Sequence, residues 1–296
     1  MTRETLEVPA ASAGERLDRF LAAELALDVE EVRALVAAGR VRVRGRTASA
    51  LRRLSAGDEV TIERPAPRRV VASGPTLDVL HDDASCLVVV KPAGLPVEPA
   101  GPRSESAVGA ASRLGRFDVG GRAGPGLPHR LDRDTSGALL LARTDRALAA
   151  LRRAFEEGRV LKEYLALVST AGAAPPDQGA LDTPYGRDPS DPRRFTTRVP
   201  SPRRARLAFR VERRLHGAAL LRVRLETGRT HQIRVQLGEA GWPVLGDGVY
   251  GVPSPHLARQ GLHAERLAFP SPEGREVDAR APLPEDLVRA IERLGP

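Results

Sequence analysis

Cysteine is nearly absent from this chain: Cys86 is the only one in 296 residues. No internal disulfide can form, and a secreted scaffold stapled by cystines is excluded. Lysine is almost as scarce. Lys91 and Lys162 are the only two among 46 basic residues, so arginine carries the basic character. Long apolar runs are also missing. The longest, such as Ala138-Leu-Leu-Leu-Ala142, fall far short of a membrane-spanning helix. The opening residues Met1-Thr-Arg-Glu-Thr5 are polar and hold no apolar signal core. Together these absences predict a soluble cytoplasmic protein with no membrane partner.

Several reaction classes lack their signatures. No Walker loop is present, and no Gly-x-Gly-x-x-Gly opens a helix, so a nucleotide cofactor has no support. No Gly-x-Ser-x-Gly elbow marks a serine hydrolase. The six histidines, His81, His129, His216, His231, His256 and His263, form neither His-x-His nor His-Glu-x-x-His, so no metal site is expected.

What is present is a globular composition, 41% hydrophobic, with a net charge of +8 and a pI near 10.7. An arginine-rich surplus suits a phosphate-bearing partner, because guanidinium forks bind phosphate through two donors at once. GC-rich codons would explain arginine in place of lysine, but not the excess of positive charge.

The first 64 residues read as a small unit of their own. Ser12-x-x-Glu15 has the form of a capping box, and Leu17, Phe20, Leu21 and Leu25 follow at helical spacing. Asp28-x-x-Glu31 opens a second helix with Val32, Leu35 and Val36 on its apolar face and Gly39 at its end. Val41 and Val43, then Val60 and Ile62, alternate as a ribbon. Seven arginines (Arg33, Arg40, Arg42, Arg44, Arg46, Arg52 and Arg53) occur from 32 to 57 without an acid, either as a solvated face or as an RNA-binding one. Pro65-Ala-Pro-Arg-Arg69 through Pro75 reads as a linker, and a continuous α/β stretch follows from 76 to 296. A second basic stretch holds Arg193, Arg194, Arg198, Arg203, Arg204, Arg206 and Arg210, again without an intervening acid.

Two clusters could carry chemistry. His129-Arg-Leu-Asp-Arg-Asp-Thr-Ser-Gly137 lies between a Gly/Pro-rich loop and an apolar strand. There Asp132 or Asp134 could act as nucleophile or base and His129 as general acid or base. The same residues could instead satisfy the amides of a turn. Leu225-Glu-Thr-Gly-Arg-Thr-His-Gln-Ile-Arg234 reads as a strand-to-helix corner capped by Thr230, with Arg229 and His231 on it. A capped helix with solvated arginines is the plainer reading.

Taken together, the clusters resemble the RluA-type, large-subunit class of pseudouridine synthases over roughly residues 76–272. Val89-Val-Lys-Pro-Ala-Gly-Leu95, His129–Gly137, Lys162-x-Tyr164-x-Ala166 and Thr227–Arg234 match in order, followed by Gly246-Asp-x-x-Tyr250-Gly and Leu262-His-Ala-x-x-Leu267-x-Phe269. The N-terminal unit resembles the α-L RNA-binding module of the ribosomal protein S-four type, through Arg16-Leu-Asp-x-Phe-Leu21, Ala37–Gly45 and Gly57-Asp58-x-Val60.

The resemblance implies an α+β catalytic domain with a central, mainly antiparallel mixed sheet and flanking helices at 76–296, joined through a linker at 65–75 to a module at 1–64. It implies uridine-to-pseudouridine isomerisation, with Asp132 as the catalytic carboxylate, Arg229 pairing with it and Tyr164 stacking on the base. Arg130 would hold the flipped nucleotide, with His129, Thr135, Gln232 and Ile233 as further substrate-binding positions. On the module, Arg33, Arg40, Arg42, Arg44 and Arg46 would meet RNA. Glu98, Gln236 and Ser271 depart from histidines common in the family. The reaction is an isomerisation, so no cofactor is required, and a monomer acting on RNA is expected. Ribosomal RNA of the large subunit is the favoured substrate, with transfer RNA, or a non-catalytic role in ribosome assembly, as the alternatives.

Overall fold

The computed structural model describes residues 2–25, 27, 29–64, 70–101, 104–120 and 124–295. Two compact units emerge, Met1–Val70 with Asp118–Ala123, and Val71–Phe117 with Gly124–Pro296.

The first unit contains β1 (Thr2–Glu7), α1 (Leu17–Glu24), α2 (Val29–Ala37), β2 (Val41–Val43), β3 (Arg46–Thr47) and β4 (Glu59–Arg64). The strands form an antiparallel sheet in the order β1-β4-β2-β3. Leu17, Phe20, Leu21, Val32, Val41, Val43, Val60 and Ile62 fill its core. The capping box at Ser12 does not form. Arg16 precedes the first helical residue, with no side-chain cap. The amides of Leu17 and Asp18 donate to the carbonyls of Arg52 and Ala50 instead, which removes the need for a side-chain acceptor. Asp28, expected to open α2, lies outside the described residues. So does the expected linker core at 65–69. The edge strand β1 was concealed by its polar sequence; it forms because β4 offers it a complete ladder.

The second unit contains β5 (Val79–Asp82), β6 (Cys86–Lys91), α3 (Ala107–Ala111), β7 (Ser136–Ala142), α4 (Asp145–Glu156) and β8 (Leu161–Ser169). After these come β9 (Gln178–Pro184), β10 (Gly186–Arg187), β11 (Phe195–Thr196), β12 (Arg204–Leu215) and β13 (Ala218–Leu225). The chain ends with α5 (Gln232–Glu239), β14 (Leu262–Pro270), β15 (Glu276–Arg280) and α6 (Glu285–Leu294). Nine strands form one mixed sheet, β5-β6-β7-β14-β8-β13-β12-β9, with β15 on β14. Among the described strands the only parallel pairing is β7 with β14, at Ser136 and Gly137. No described helix is long and apolar enough to cross a membrane.

That short parallel contact places the site. Gly137 has φ +122°, and a Cβ there would lie 2.2 Å from the carbonyl oxygen of Ala264. Only glycine lets the loop before β7 enter the sheet this close to β14. Beyond Gly137, the edge of β7 is covered by the incoming loop: Gly126 pairs with Ala142, and the Leu140 amide donates to His129 Nε2 at 2.9 Å.

Candidate active site

The loop from His129 to Thr135 is held from behind by buried groups. Lys91 is fully buried, and its ammonium donates to the carbonyls of Pro92 (2.9 Å), Leu95 (2.8 Å) and Arg133 (2.7 Å). Burial pulls its pKa down to about 7. The three acceptors oppose that shift, because a neutral amine has only two hydrogens to give. Arg259 donates to the Asp134 carbonyl at 3.2 Å and is forked onto Asp286 at 2.7 and 2.9 Å. Thr135 is buried, and its hydroxyl accepts from Gln260 Nε2 at 2.6 Å.

This anchoring leaves the Asp132 side chain partly open, 24% exposed. Its Oδ2 accepts from Arg234 Nη1 at 2.9 Å. Arg234 is itself forked onto the buried Asp247, Nε to Oδ2 at 2.7 Å and Nη2 to Oδ1 at 2.8 Å, and lies over the Tyr250 ring at 5.1 Å. Asp247 also accepts the amides of Val249 and Tyr250. Burial raises the pKa of Asp247, but the bonds from Arg234 outweigh it, and the net shift is downward. Arg234 is raised despite its own burial, by Asp247 first and Asp132 second.

The cation beside Asp132 is therefore Arg234, not the expected Arg229. Arg229 is exposed, and its Nε donates to the Arg204 carbonyl at 3.1 Å. It lies in the turn ahead of α5, whereas Arg234 sits inside a stretch, Gln232 to Leu237, that is buried at every position. A guanidinium in the middle of such a buried helix must find carboxylates to be tolerated. Thr230 does not cap α5. His231 occupies that place in a left-handed conformation, φ +58°. The Thr230 carbonyl instead accepts from the Tyr185 hydroxyl at 2.6 Å. The turn is braced by Gln232, whose Oε1 accepts from Thr227 Oγ1 and the Arg229 amide, both at 2.9 Å.

The remaining expected residues divide between exposed surface and framework. Tyr164, on β8, is nearly buried in a core cluster shared with Leu131 and Ile233. Burial, and then the charge of Asp132, push its phenol pKa upward, so the hydroxyl rests protonated and is not a resting base. Arg130 is exposed, with Glu98 Oε2 at 3.5 Å. His129 is a framework residue. Its Nε2 accepts from Leu140, its ring stacks on Phe155 at 5.1 Å, and burial holds its pKa near 3. Gln232 is buried in the turn it braces, and its Nε2 donates to Gln236 Oε1 at 3.0 Å. Gln236 in turn donates to Thr183 Oγ1 and the Ala205 carbonyl, which a charged histidine would fit poorly.

The role of His129 gives a pH prediction. Its folded pKa lies below the unfolded value of 6.5. Stability is therefore complete above pH 6.5 and declines as the pH falls toward 3, while the unfolded chain takes up a proton that the folded chain refuses. His129→Gln keeps an acceptor for the Leu140 amide and does not titrate. Thermal melts between pH 7 and 4 are expected to show a shallower acid decline in this variant than in the wild type.

Elsewhere, His81, Asp83 and Cys86 place potential metal-ligand atoms within 4.8 Å of one another. Asp83 is already committed, with Oδ1 to the Ser85 and Cys86 amides and Oδ2 to His81 Nε2. Burial pushes the Cys86 thiol pKa up to about 12. The group acts as the brace of the β5–β6 turn.

Comparison with known proteins identifies the family. The family described as RNA pseudouridylate synthase matches residues 85–239. An uncharacterized RNA pseudouridine synthase of Chloroflexus aurantiacus is 41% identical, covering 97% of this chain and 92% of that protein. The ribosomal large subunit pseudouridine synthase D of Zymomonas mobilis is 35% identical, covering 97% and 96%. Among solved structures, human RNA pseudouridylate synthase domain containing 1 superposes with a TM-score of 0.60 at 26% identity, covering 75% of this chain and 87% of that one. A carboxylate held by a buried arginine, at a loop that enters a mixed sheet one strand away from the strand of Tyr164, thus lies within the matched region, and the chain belongs to the RNA pseudouridine synthase family.

Proposed function

We propose that this isomerase acts on uridines of large-subunit ribosomal RNA, with Asp132 as its catalytic carboxylate. The observation that carries the reading is the asymmetry of that carboxylate: Oδ2 is tied to Arg234, and Oδ1 has no hydrogen-bond donor among the described residues, His231 Nε2 standing 3.9 Å away. The reaction breaks the bond from C1′ to N1, turns the uracil, joins C1′ to C5, and moves a proton from C5 to N1. Positive charge develops at C1′ as in glycoside cleavage, and an ionised oxygen facing it stabilises that charge. Tyr164 provides an aromatic face for the detached base. Arg130, exposed and only loosely paired, fills the gap left in the RNA helix when the nucleotide is flipped.

The first unit is proposed as an RNA-docking module of the S-four type. The structure modifies the role of its arginines. Arg33 donates to the buried Asp18 at 3.0 Å, and Arg44 pairs with the buried Asp58. Both pairs brace the module; Arg44 nevertheless stays exposed, as are Arg42 and Arg46, and these three are the candidates for phosphate contact. The relatives of Zymomonas mobilis and Xanthomonas campestris bear the name ribosomal large subunit pseudouridine synthase D, at 35% and 34% identity, and this favours ribosomal over transfer RNA.

Mapping pseudouridine in cellular RNA with and without the protein tests the substrate. Loss at specific large-subunit uridines is the expected result. Loss confined to transfer RNA would replace the substrate, and an unchanged map would refute the assignment.

A further inference from the structure

His231 is built with more care than a packing residue needs. It adopts φ +58°, one of two positive values among described residues other than glycine, and such a conformation persists where the surroundings impose it. Its Nδ1 lies 3.0 Å from the Tyr250 hydroxyl. That hydroxyl already accepts the Phe195 amide at 3.0 Å. Its hydrogen has no other acceptor among the described residues, so Tyr250 donates to Nδ1 and the hydrogen of the neutral imidazole sits on Nε2. Burial lowers the His231 pKa, which keeps the ring in that neutral form. The Phe195 ring meets the imidazole edge-on at 6.0 Å and fixes its plane.

The Nε2–H so oriented lies 3.9 Å from Asp132 Oδ1, the oxygen that Arg234 leaves free. This separation is too long for a hydrogen bond. It suits a single oxygen that accepts from the imidazole and donates to the carboxylate. Three oxygens of a uridine lie near C1′. The ring oxygen and the uracil carbonyl have no hydrogen to give; the 2′-hydroxyl both accepts and donates. Resting on the catalytic reading of Asp132, we propose that His231 and Asp132 bracket the 2′-hydroxyl of the target nucleotide, so that His231 selects a ribonucleotide over a deoxyribonucleotide. The 2′-hydroxyl is the group by which a protein separates RNA from DNA at one position.

The test uses synthetic stem-loops that carry either uridine or 2′-deoxyuridine at the position the wild-type enzyme modifies in ribosomal RNA. Single-turnover rates are measured, with competition constants for pairs too slow to follow. Wild-type enzyme is expected to prefer the ribonucleotide. His231→Ala is expected to lose about 10- to 100-fold on the ribonucleotide and little on the deoxyribonucleotide. His231→Gln, whose amide offers an N–H in a similar place, recovers part of the preference. Equal losses on both substrates would reduce His231 to a packing role and overturn the proposal. So would a wild-type enzyme indifferent to the 2′-hydroxyl, which decides the matter even if the alanine variant fails to fold. Absence of any product from the wild type would instead refute the catalytic reading beneath it.

Discussion

Asp132→Asn should abolish pseudouridine formation while leaving RNA affinity nearly intact. The amide has almost the shape of the carboxylate, and its oxygen can still accept from Arg234 Nη1, so the anchored loop keeps its form. What disappears is the negative oxygen that faces C1′. Loss of a charge that acts mainly in the transition state is expected to lower the single-turnover rate by about 10³-fold or more. Binding of the same RNA, measured by filter retention, is expected to change by less than about threefold, because phosphate contacts dominate affinity. A variant that retained even about a tenth of the wild-type rate would remove Asp132 from the mechanism.

Arg234→Ala should be damaging in two separable ways. Arg234 is the only cation bonded to both Asp132 and the buried Asp247 among the described residues. Its removal leaves Asp247 charged and unpaired in the interior, at a cost of about 3–5 kcal/mol, read by urea unfolding. The linkage has a defined sign. The pKa of Asp247 is lowered in the folded state, so its contribution is full above about pH 4 and is lost as the pH falls through the folded value. Without the guanidinium the Asp247 pKa rises, so the acid limb of the stability profile should move to higher pH. With its partner gone from Asp132, the rate near neutrality should fall by about 100-fold or more. Arg234→Lys restores a charge but not the planar fork that serves three bonds, and should lie between the two. An alanine variant with the wild-type rate would show that the ion pair does not serve Asp132.

Some of this was legible in the residues alone. The continuous apolar run from Ala138 and the alternation at Leu221, Val223 and Leu225 mark elements that fold as read, because a short apolar run and a period of two are both local properties. Asp132 and Tyr164 were legible as candidates only through their motifs, and their proximity depends on β7 and β8 both pairing with β14. The choice between Arg229 and Arg234 was not legible. Both flank Thr-His-Gln-Ile, and spacing favours neither. The burial of α5 settles which one faces carboxylates, and burial is a property of the assembled sheet. The same limit applies to His129, which has the residue type of a general acid or base. Its partner, the Leu140 amide, becomes available only because β7 leaves β14 after Gly137.

By itself, then, the sequence determined the class of reaction, the polar loop that carries it and the arginine surplus suited to a phosphate-rich substrate. Each of these resides in residue identity and short-range order. The tertiary structure decided which cation neutralises Asp132, which of its oxygens stays open, and which histidine stands beside that oxygen. Those three depend on contacts between segments about a hundred residues apart, Asp132 being 102 residues from Arg234. Local propensity carries no information across that separation, and only the packing of the sheet brings the partners within bonding distance.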